Sequence, residues 1–254
     1  MSFWLTVNKV IREADIILLI LDARMPILSM NREIKEKVER YGKKMFLVFN
    51  KIDLISNHQL DSLKQNHNTA FFVSGIKNIG INSMKKYLLI FAKKNKVQEI
   101  RVGIVGYPNV GKSAIINALS KRASAPVSSS AGTTKGIQWV KAGGLRLLDS
   151  PGVIPFEDGN SKLGILGAKN PEKLKNQYKV ACELIEMFLD NDKAALEKYY
   201  NLELSDNSEE VFLAIGKKRG FLSKGGIIDE TRTAISIIRD WQRGKIRIQQ
   251  RDLS

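Results

Sequence analysis

Residues 103–120 read GIVGYPNVGKSAIINALS, and the eight residues from Gly106 to Ser113 fit the pattern G-x-x-x-x-G-K-[ST]. The pattern carries chemistry only where a strand runs into it and a helix runs out of it. Both are expected here, because IRVGIVG (100–106) is an apolar, β-branched run and SAIINALS (113–120) favours a helix. A glycine loop between them turns successive backbone N–H groups inward, and the helix N-terminus adds its positive field, so the segment grips a phosphate. Asn109, Val110, Gly111 and Ala114 then line the grip, Lys112 reaches the β- and γ-phosphates, and Ser113 holds Mg²⁺.

Downstream, GIQWVKAGGLRLLD (136–149) reads as two strands joined at Gly143-Gly144, a hairpin signal. The second strand ends in Asp149-Ser150-Pro151-Gly152. An aspartate at that strand tip can hold Mg²⁺ through water, and the Gly152 N–H can report a γ-phosphate. Between loop and hairpin lies SAGTTKG (130–136), a small-residue segment in which Thr134 is the candidate to close on Mg²⁺, with Thr133 as the alternative. Lys112, Thr134 and Gly152 are thus the catalytic candidates.

The upstream half supplies the rest. KKMFLVFNKID (43–53) is a buried strand ending in Asn50-Lys51-Ile52-Asp53. The Asp53 carboxylate can accept from both N1–H and the 2-amino group of guanine. Adenine offers neither, and a buried carboxylate left unpaired rejects it. Asn50 braces the purine edge and the loops, and the Lys51 stem covers the ring face. TAFFVSG (69–75) reads as another strand, ending at Ser74-Gly75, where a backbone N–H can meet the guanine O6.

All five pieces of a GTP site are present, in the order base, base, phosphate, switch, switch. An ordinary GTPase has the phosphate loop first. A domain whose termini lie close together can be opened elsewhere and rejoined without disturbing its core, and KKNKVQE (93–99) reads as the joint. The new opening falls after Asp149–Gly152, so the second switch leads directly into the remainder of the chain.

The surrounding pattern is α/β. DIILLILDAR (15–24) is a strand apolar on both faces, NREIKEKVERYG (31–42) is a helix stopping at glycine, and INSMKKYLLIFAKK (81–94) is a basic amphipathic helix. This alternation predicts a doubly wound, mostly parallel sheet with one antiparallel hairpin. FEDGNSKLGILGAKN (156–170) is glycine-rich and weakly periodic, and it is read as the boundary between a permuted P-loop GTPase domain (1–160) and a small all-helical C-terminal domain (170–254). Helix starts are expected at Asn170-Pro171, at Asp206 or Ser208, and at Asp229.

Of the 254 residues, 41 are Lys or Arg and 26 Asp or Glu, a net charge of +15. The surplus lies before residue 170, while 170–210 is acidic and 211–254 basic. A nucleotide absorbs only a few charges, so a polyanion partner such as RNA is implied, with Lys217, Lys218, Arg219 and Lys224 and then Arg243, Lys245, Arg247 and Arg251 as candidate contacts. The single cysteine, Cys182, falls on a helical apolar pattern and reads as core. The apolar run at 16–21 is too short to span a bilayer, and the first 15 residues read as an amphipathic helix rather than a signal peptide, so a cytoplasmic protein is expected.

The motif order, the entry VIREADIILLILDARMP (10–26) and the tail KKRGFLSKGGIIDETRTAISIIRDWQRGKI (217–246) closely resemble the circularly permuted GTPases of the YlqF/RbgA group. The resemblance implies GTP hydrolysis coupled to binding of the maturing large ribosomal subunit and its rRNA. It also implies a hydrophobic residue, here Val153, where many GTPases carry a water-orienting glutamine. Asn109 resembles the asparagine that holds K⁺ in related glutamine-lacking GTPases. Bacterial members carry a Phe-Pro-Gly-His-Met stretch near the start whose histidine has been proposed as catalytic; here no histidine precedes His58. Two other readings share many of these residues. One is a GTPase acting on another RNA-containing partner, and the other an RNA-binding protein with a non-hydrolysing nucleotide site. A P-loop kinase or ATPase would have no use for Asp53.

Overall fold

The computed structural model describes residues 3–120, 138–155 and 157–249. In chain order the elements of the first half are α1 (Phe3–Glu13), β1 (Ile16–Asp22), α2 (Pro26–Ser29), α3 (Arg32–Arg40), β2 (Lys44–Asn50), α4 (Asn57–Asn66), β3 (Phe71–Phe72) and α5 (Ile81–Lys94). There follow β4 (Ile100–Val105), α6 (Lys112–Ser120), β5 (Gln138–Lys141), β6 (Leu145–Asp149), α7 (Asn160–Ile165), α8 (Gln177–Tyr200), α9 (Ser208–Lys218) and α10 (Glu230–Gln242).

The six strands form one sheet in the order β3-β2-β1-β4-β6-β5, parallel except for the β5–β6 hairpin. β1 and β4 are therefore neighbours (Ile16 opposite Val102, Leu19 opposite Val105) although some eighty residues separate them. Every residue of β1 is buried, as an apolar run on both faces requires. Its side chains alternate between two layers. Ile17, Leu19 and Leu21 pack with Val7, Ile11, Ile34 and Val38 of α1 and α3, while Ile16, Leu18 and Ile20 join the face of α5 and α6.

The second layer does not stop at the sheet. The same apolar cluster includes Tyr107 and Val110 of the phosphate loop, Leu163 of α7, Val180, Leu184 and Phe188 of α8, Phe212 of α9, and Ile238 and Trp241 of α10. The stretch read as a boundary holds α7, with Leu163, Leu166 and Ala168 buried, so the sheet and the C-terminal helices share a core rather than meeting through a linker. The signal was weak because six helical residues give less than two turns of periodicity.

Three expectations about element ends are corrected. Asn170-Pro171 opens only a 3-10 turn (Pro171–Lys173); α8 starts at Gln177, where the Asn176 side chain accepts from Lys179 N. α9 is capped by Asn207, which accepts from the N–H groups of Glu209 and Glu210, and neither Asp206 nor Ser208 takes that role. The TAFFVSG strand shrinks to Phe71–Phe72, because Ser74 and Ile79 exchange both backbone hydrogen bonds and turn the chain away from the sheet edge. Asp229 caps α10 as expected, and Cys182 is buried. Within α8, Asp192 leaves the helical region (φ −162°) and its buried carboxylate accepts from Ala195 N and Gln249 N, capping the second half of the helix internally.

Candidate functional site

In an open α/β sheet ligands bind beyond the carboxyl ends of the strands, where the connections diverge to opposite faces. Here that place lies between β1 and β4. β2 ends at Asn50 opposite Asp22, β4 leads through Val105 into the phosphate loop, and Asp149 sits opposite Ile104 at the tip of β6. The parallel register alone thus gathers motifs that the chain scatters over a hundred residues.

Asn50 ties the two ends of the site together. It is 3% exposed; its Nδ2 donates to Val110 O at 2.8 Å, and its Oδ1 accepts from Gly75 N at 3.0 Å. One side chain therefore fixes the base-reading strand, the Ser74-Gly75 turn and the phosphate loop in a single geometry. At the Ser74-Gly75 turn, expected to offer a backbone N–H to the guanine O6, the Gly75 N–H donates to Asn50 and the Ser74 N–H to Ile79 O. The Gly75 α-carbon lies so close to the start of α6 that a Cβ would stand 3.0 Å from the Ala114 carbonyl carbon. Ser74 is buried, and its hydroxyl accepts from Lys77 N.

Lys51 adopts left-handed backbone geometry (φ 66°) and opens a 3-10 turn, Ile52–Leu54, that carries the half-buried Asp53. Lys51 Nζ bonds Asp22 Oδ2 at 2.7 Å. Asp22 is also gripped by Arg24 through Nε at 3.0 Å and Nη2 at 2.8 Å. Burial alone would raise the Asp22 carboxyl, but the two cations override it and hold the group far below the usual carboxylate range. Burial lowers the Lys51 ammonium, with Asp22 opposing. Sequence reading saw Asp22-Ala23-Arg24 only as the polar end of a strand. The available signal was position: charged residues directly after a fully buried strand, at the carboxyl edge of the sheet.

The phosphate end is shaped by close approach. Gly111 has φ +99°, and a Cβ there would stand 2.1 Å from Asn50 Nδ2, so only glycine allows the loop to meet Asn50. A Cβ on Gly152 would stand 2.6 Å from Pro108 N, which places the second switch backbone against the phosphate loop. Lys112 is 7% exposed, and its Nζ donates to the carbonyls of Tyr107 at 2.7 Å and Gly106 at 3.2 Å. Burial pushes its ammonium down to about 8, the nearby Asp149 charge opposing. A buried ammonium held by loop carbonyls, at the head of α6, fits an anion that brings the missing negative charge. Ser113 is the second residue of the same helix, half-buried, and Asp149 is half-buried at the strand tip. These two residues suit Mg²⁺; Thr134 and Thr133 lie outside the described residues. Val153 is 1% exposed, its N–H donates to Gly106 O and its carbonyl accepts from Asn31 Nδ2, so it is a packing residue that cannot orient water.

Two loop residues reach outward. Asn109, with φ 59°, donates to Gly167 O at 2.7 Å, and the Tyr107 hydroxyl bonds Asp158, which also pairs with Lys162 at 2.7 Å. The phosphate loop is therefore clasped by the segment that follows the second switch. Among the candidate cations for a polyanion, Arg219 pairs with Asp240 at 2.8 Å, Lys245 pairs with the same carboxylate at 3.3 Å, and Arg247 donates to Asp53 O and Gly244 O. Lys217, Lys218, Lys224 and Arg243 are exposed, and Arg251 lies outside the described residues.

Comparison with known proteins agrees with this geometry. Residues 101–217 match the 50S ribosome-binding GTPase family, a match that begins at the strand feeding the phosphate loop and leaves the base-reading motifs ahead of it. An uncharacterized GTP-binding protein of Methanocaldococcus jannaschii is 40% identical over 250 residues, covering 97% of this chain and 66% of that protein. Ribosome biogenesis GTPase A of Bacillus cereus is 31% identical over 259 residues, covering 94% of this chain and 86% of that protein. The chain spans about half the length of several other relatives. GNP-bound YlqF from T. maritima has the same fold, with a TM-score of 0.60 at 22% identity over 97% of this chain and 96% of that one. With the base-reading motifs ahead of the phosphate loop and closing on it through Asn50, the chain belongs to the YlqF/RbgA group of circularly permuted GTPases.

Proposed function

We propose that this protein binds GTP and GDP with Mg²⁺, hydrolyses GTP, and serves assembly of the large ribosomal subunit by binding its precursor and rRNA in a nucleotide-dependent way. The observation that supports the reading is the Asn50 bridge, which ties the Asn50–Asp53 segment, read as guanine-selective, to the phosphate loop and the Ser74-Gly75 turn. The relatives' names, among them Ribosome biogenesis GTPase A, supply the assembly role. Asp53 reads the base, Lys112 with the N–H groups of residues 109–114 holds the phosphates, and Ser113, Asp149 and Thr134 hold the metal. Where bound, Mg²⁺ would supply neutralisation of phosphate charge.

Among the described residues neither Val153 nor an arginine of the phosphate loop is available to orient water or neutralise the leaving charge, so turnover by the protein alone is slow, on the order of 10⁻⁴ to 10⁻² s⁻¹. A partner or a monovalent cation speeds it, and Asn109 is the residue through which K⁺ would act. Arg232, Arg239 and Arg243 line one cleft beside Glu172, Asp229 and Asp240, and Lys217, Lys218 and Lys224 are exposed elsewhere in the C-terminal helical region; these cations are the candidates for RNA phosphates. Calorimetry with GTP, GDP and ATP tests the base assignment, and cosedimentation with large-subunit precursors in GTP-analogue and GDP states tests the partner. Equal affinity for ATP and GTP would remove the guanine reading. Single-turnover hydrolysis no faster than that of GTP without protein, with and without subunits, would instead favour a non-hydrolysing RNA-binding protein.

A further inference from the structure

The guanine-reading loop, whose assignment rests on the proposal above, is held from the C-terminal end of the chain at two points. Arg247 Nη1 donates to the backbone carbonyl of Asp53 itself at 3.1 Å, while its Nε donates to Gly244 O at 2.8 Å. Gly244 lies against the next residue of the loop, since a Cβ there would stand 2.8 Å from Leu54 Cδ2. The second hold reaches Lys51. Its ammonium bonds Asp22, Asp22 bonds Arg24, and Arg24 Nη1 donates to Trp241 O at 2.7 Å with its guanidinium 4.5 Å from the centre of the Trp241 ring. Asp22, Arg24 and Trp241 are each at most 4% exposed.

Asp53 sits on a single 3-10 turn closed by Leu54 N–H on Lys51 O at 2.9 Å and a long Ile55–Ile52 contact at 3.5 Å. One such turn has little stability of its own. A carboxylate that must meet two purine N–H groups tolerates misplacement of only about 0.5 Å. Holds from outside the turn supplement it: Ile52 N–H donates to Val73 O at 3.3 Å, and the last turn of α10 with the segment after it meets Asp53 and Leu54 directly and Lys51 through Arg24 and Asp22.

We infer that Arg247 and Arg24 are positioning residues for guanine recognition, and that the C-terminal helical segment is thereby part of the specificity apparatus of the nucleotide site. The hold is on the base-reading loop, away from the γ-phosphate, so it acts alike on GTP and GDP.

The test uses the full chain and three nucleotides. GDP and inosine diphosphate differ only in the 2-amino group that Asp53 accepts from, and a GTP analogue reports the γ-phosphate end. For the wild type the ratio of Kd for inosine diphosphate to Kd for GDP should be roughly tenfold or more, the worth of one hydrogen bond to a charged group. In Arg247→Ala the ratio should fall at least threefold, and Arg247→Lys should recover part of it, because an ammonium can still donate to the Asp53 carbonyl. Arg24→Lys keeps Asp22 paired but loses the fork that reaches Trp241, and should lower the ratio in the same direction. The ratio of GTP analogue to GDP should stay constant throughout. A purely structural role would weaken both diphosphates equally, so an unchanged inosine-to-guanine ratio in Arg247→Ala and Arg24→Lys, beside a selective wild type, overturns the inference. A wild type that binds ADP as well as GDP overturns the guanine reading beneath it.

Discussion

The two ends of the nucleotide cleft are built on opposite principles. At the base end the polar groups are matched to partners inside the protein: Asn50 between two backbone groups, and Asp22 between two cations. At the phosphate end a buried lysine rests on two carbonyls with its ammonium pushed down to about 8. The frame around Asp53 is closed by partners inside the protein, because it must reject the wrong purine and rejection needs rigidity. The phosphate end carries an excess of positive charge that a phosphate completes, so its binding energy comes from relieving an unfavourable arrangement.

That contrast breaks most sharply at Lys112. Lys112→Met keeps the length and apolar stem while removing the charge, and should lower kcat/KM for GTP by roughly 10² to 10³, the usual loss for one preorganised transition-state contact. The thermal midpoint should hold or rise, because the variant no longer buries an ammonium. Parallel measurement of turnover and of thermal unfolding decides it. A large drop in midpoint would mean that Lys112 holds the loop together and that the two ends are built alike.

At the base end the expected signature is reversed. Asn50→Ala leaves Val110 O and Gly75 N–H buried without their partner, each worth about 1–3 kcal/mol. Unfolding should be easier by about 2–4 kcal/mol, a midpoint shift of several degrees at this chain length. Nucleotide affinity should fall as well, since the loops lose their common brace. Chemical denaturation with and without GDP separates the two effects. A stability change below about 0.5 kcal/mol would show that the bridge is not a structural member.

The same contrast explains what could be read without coordinates. Phosphate-loop and base-loop residues are legible because their chemistry is local: a strand, a few residues of fixed type, a helix. The mostly parallel sheet with its antiparallel hairpin followed from the strand pattern, whereas the order of its strands came only from the structure. Helix starts were less legible, since Asn176 and Asn207 sit within a few residues of Asn170, Asp206 and Ser208, and packing rather than propensity chose among equivalent caps. The braces were illegible. Arg24 finds its acceptor 217 residues away and Arg247 finds its own 194 residues away, separations at which neither spacing nor periodicity carries information. The pairing within the basic tail was illegible for the same reason: a charge count cannot tell Arg219, paired with Asp240, from Lys217, which is exposed.

The smallest effect expected is the most specific to the phosphate end. An ordinary lysine titrates near 10.5 and Lys112 at about 8, because burial disfavours its charged form. The sign follows from which state holds the proton. Between about pH 8 and 10.5 the unfolded chain keeps the proton and the folded one has released it, so this residue costs stability below pH 8 and the cost is relieved as pH rises through that window. Phosphate binding reverses the preference, because the anion stabilises the ammonium. Nucleotide binding should therefore take up a proton above about pH 8, and GDP affinity should decline from there by up to tenfold per pH unit. Below pH 7.5 the profile should be flat with respect to this group. The Asp22 carboxyl of the base end contributes nothing in the same range, since it is held far below it. Calorimetric titration of GDP at pH 8.5 in buffers of different ionisation enthalpy reads the proton directly, and Lys112→Met should abolish the buffer dependence while keeping guanine selectivity. A buffer-independent enthalpy in the wild type at that pH would mean that Lys112 is already fully charged in its carbonyl cradle, and the difference between the two ends would then rest on geometry alone.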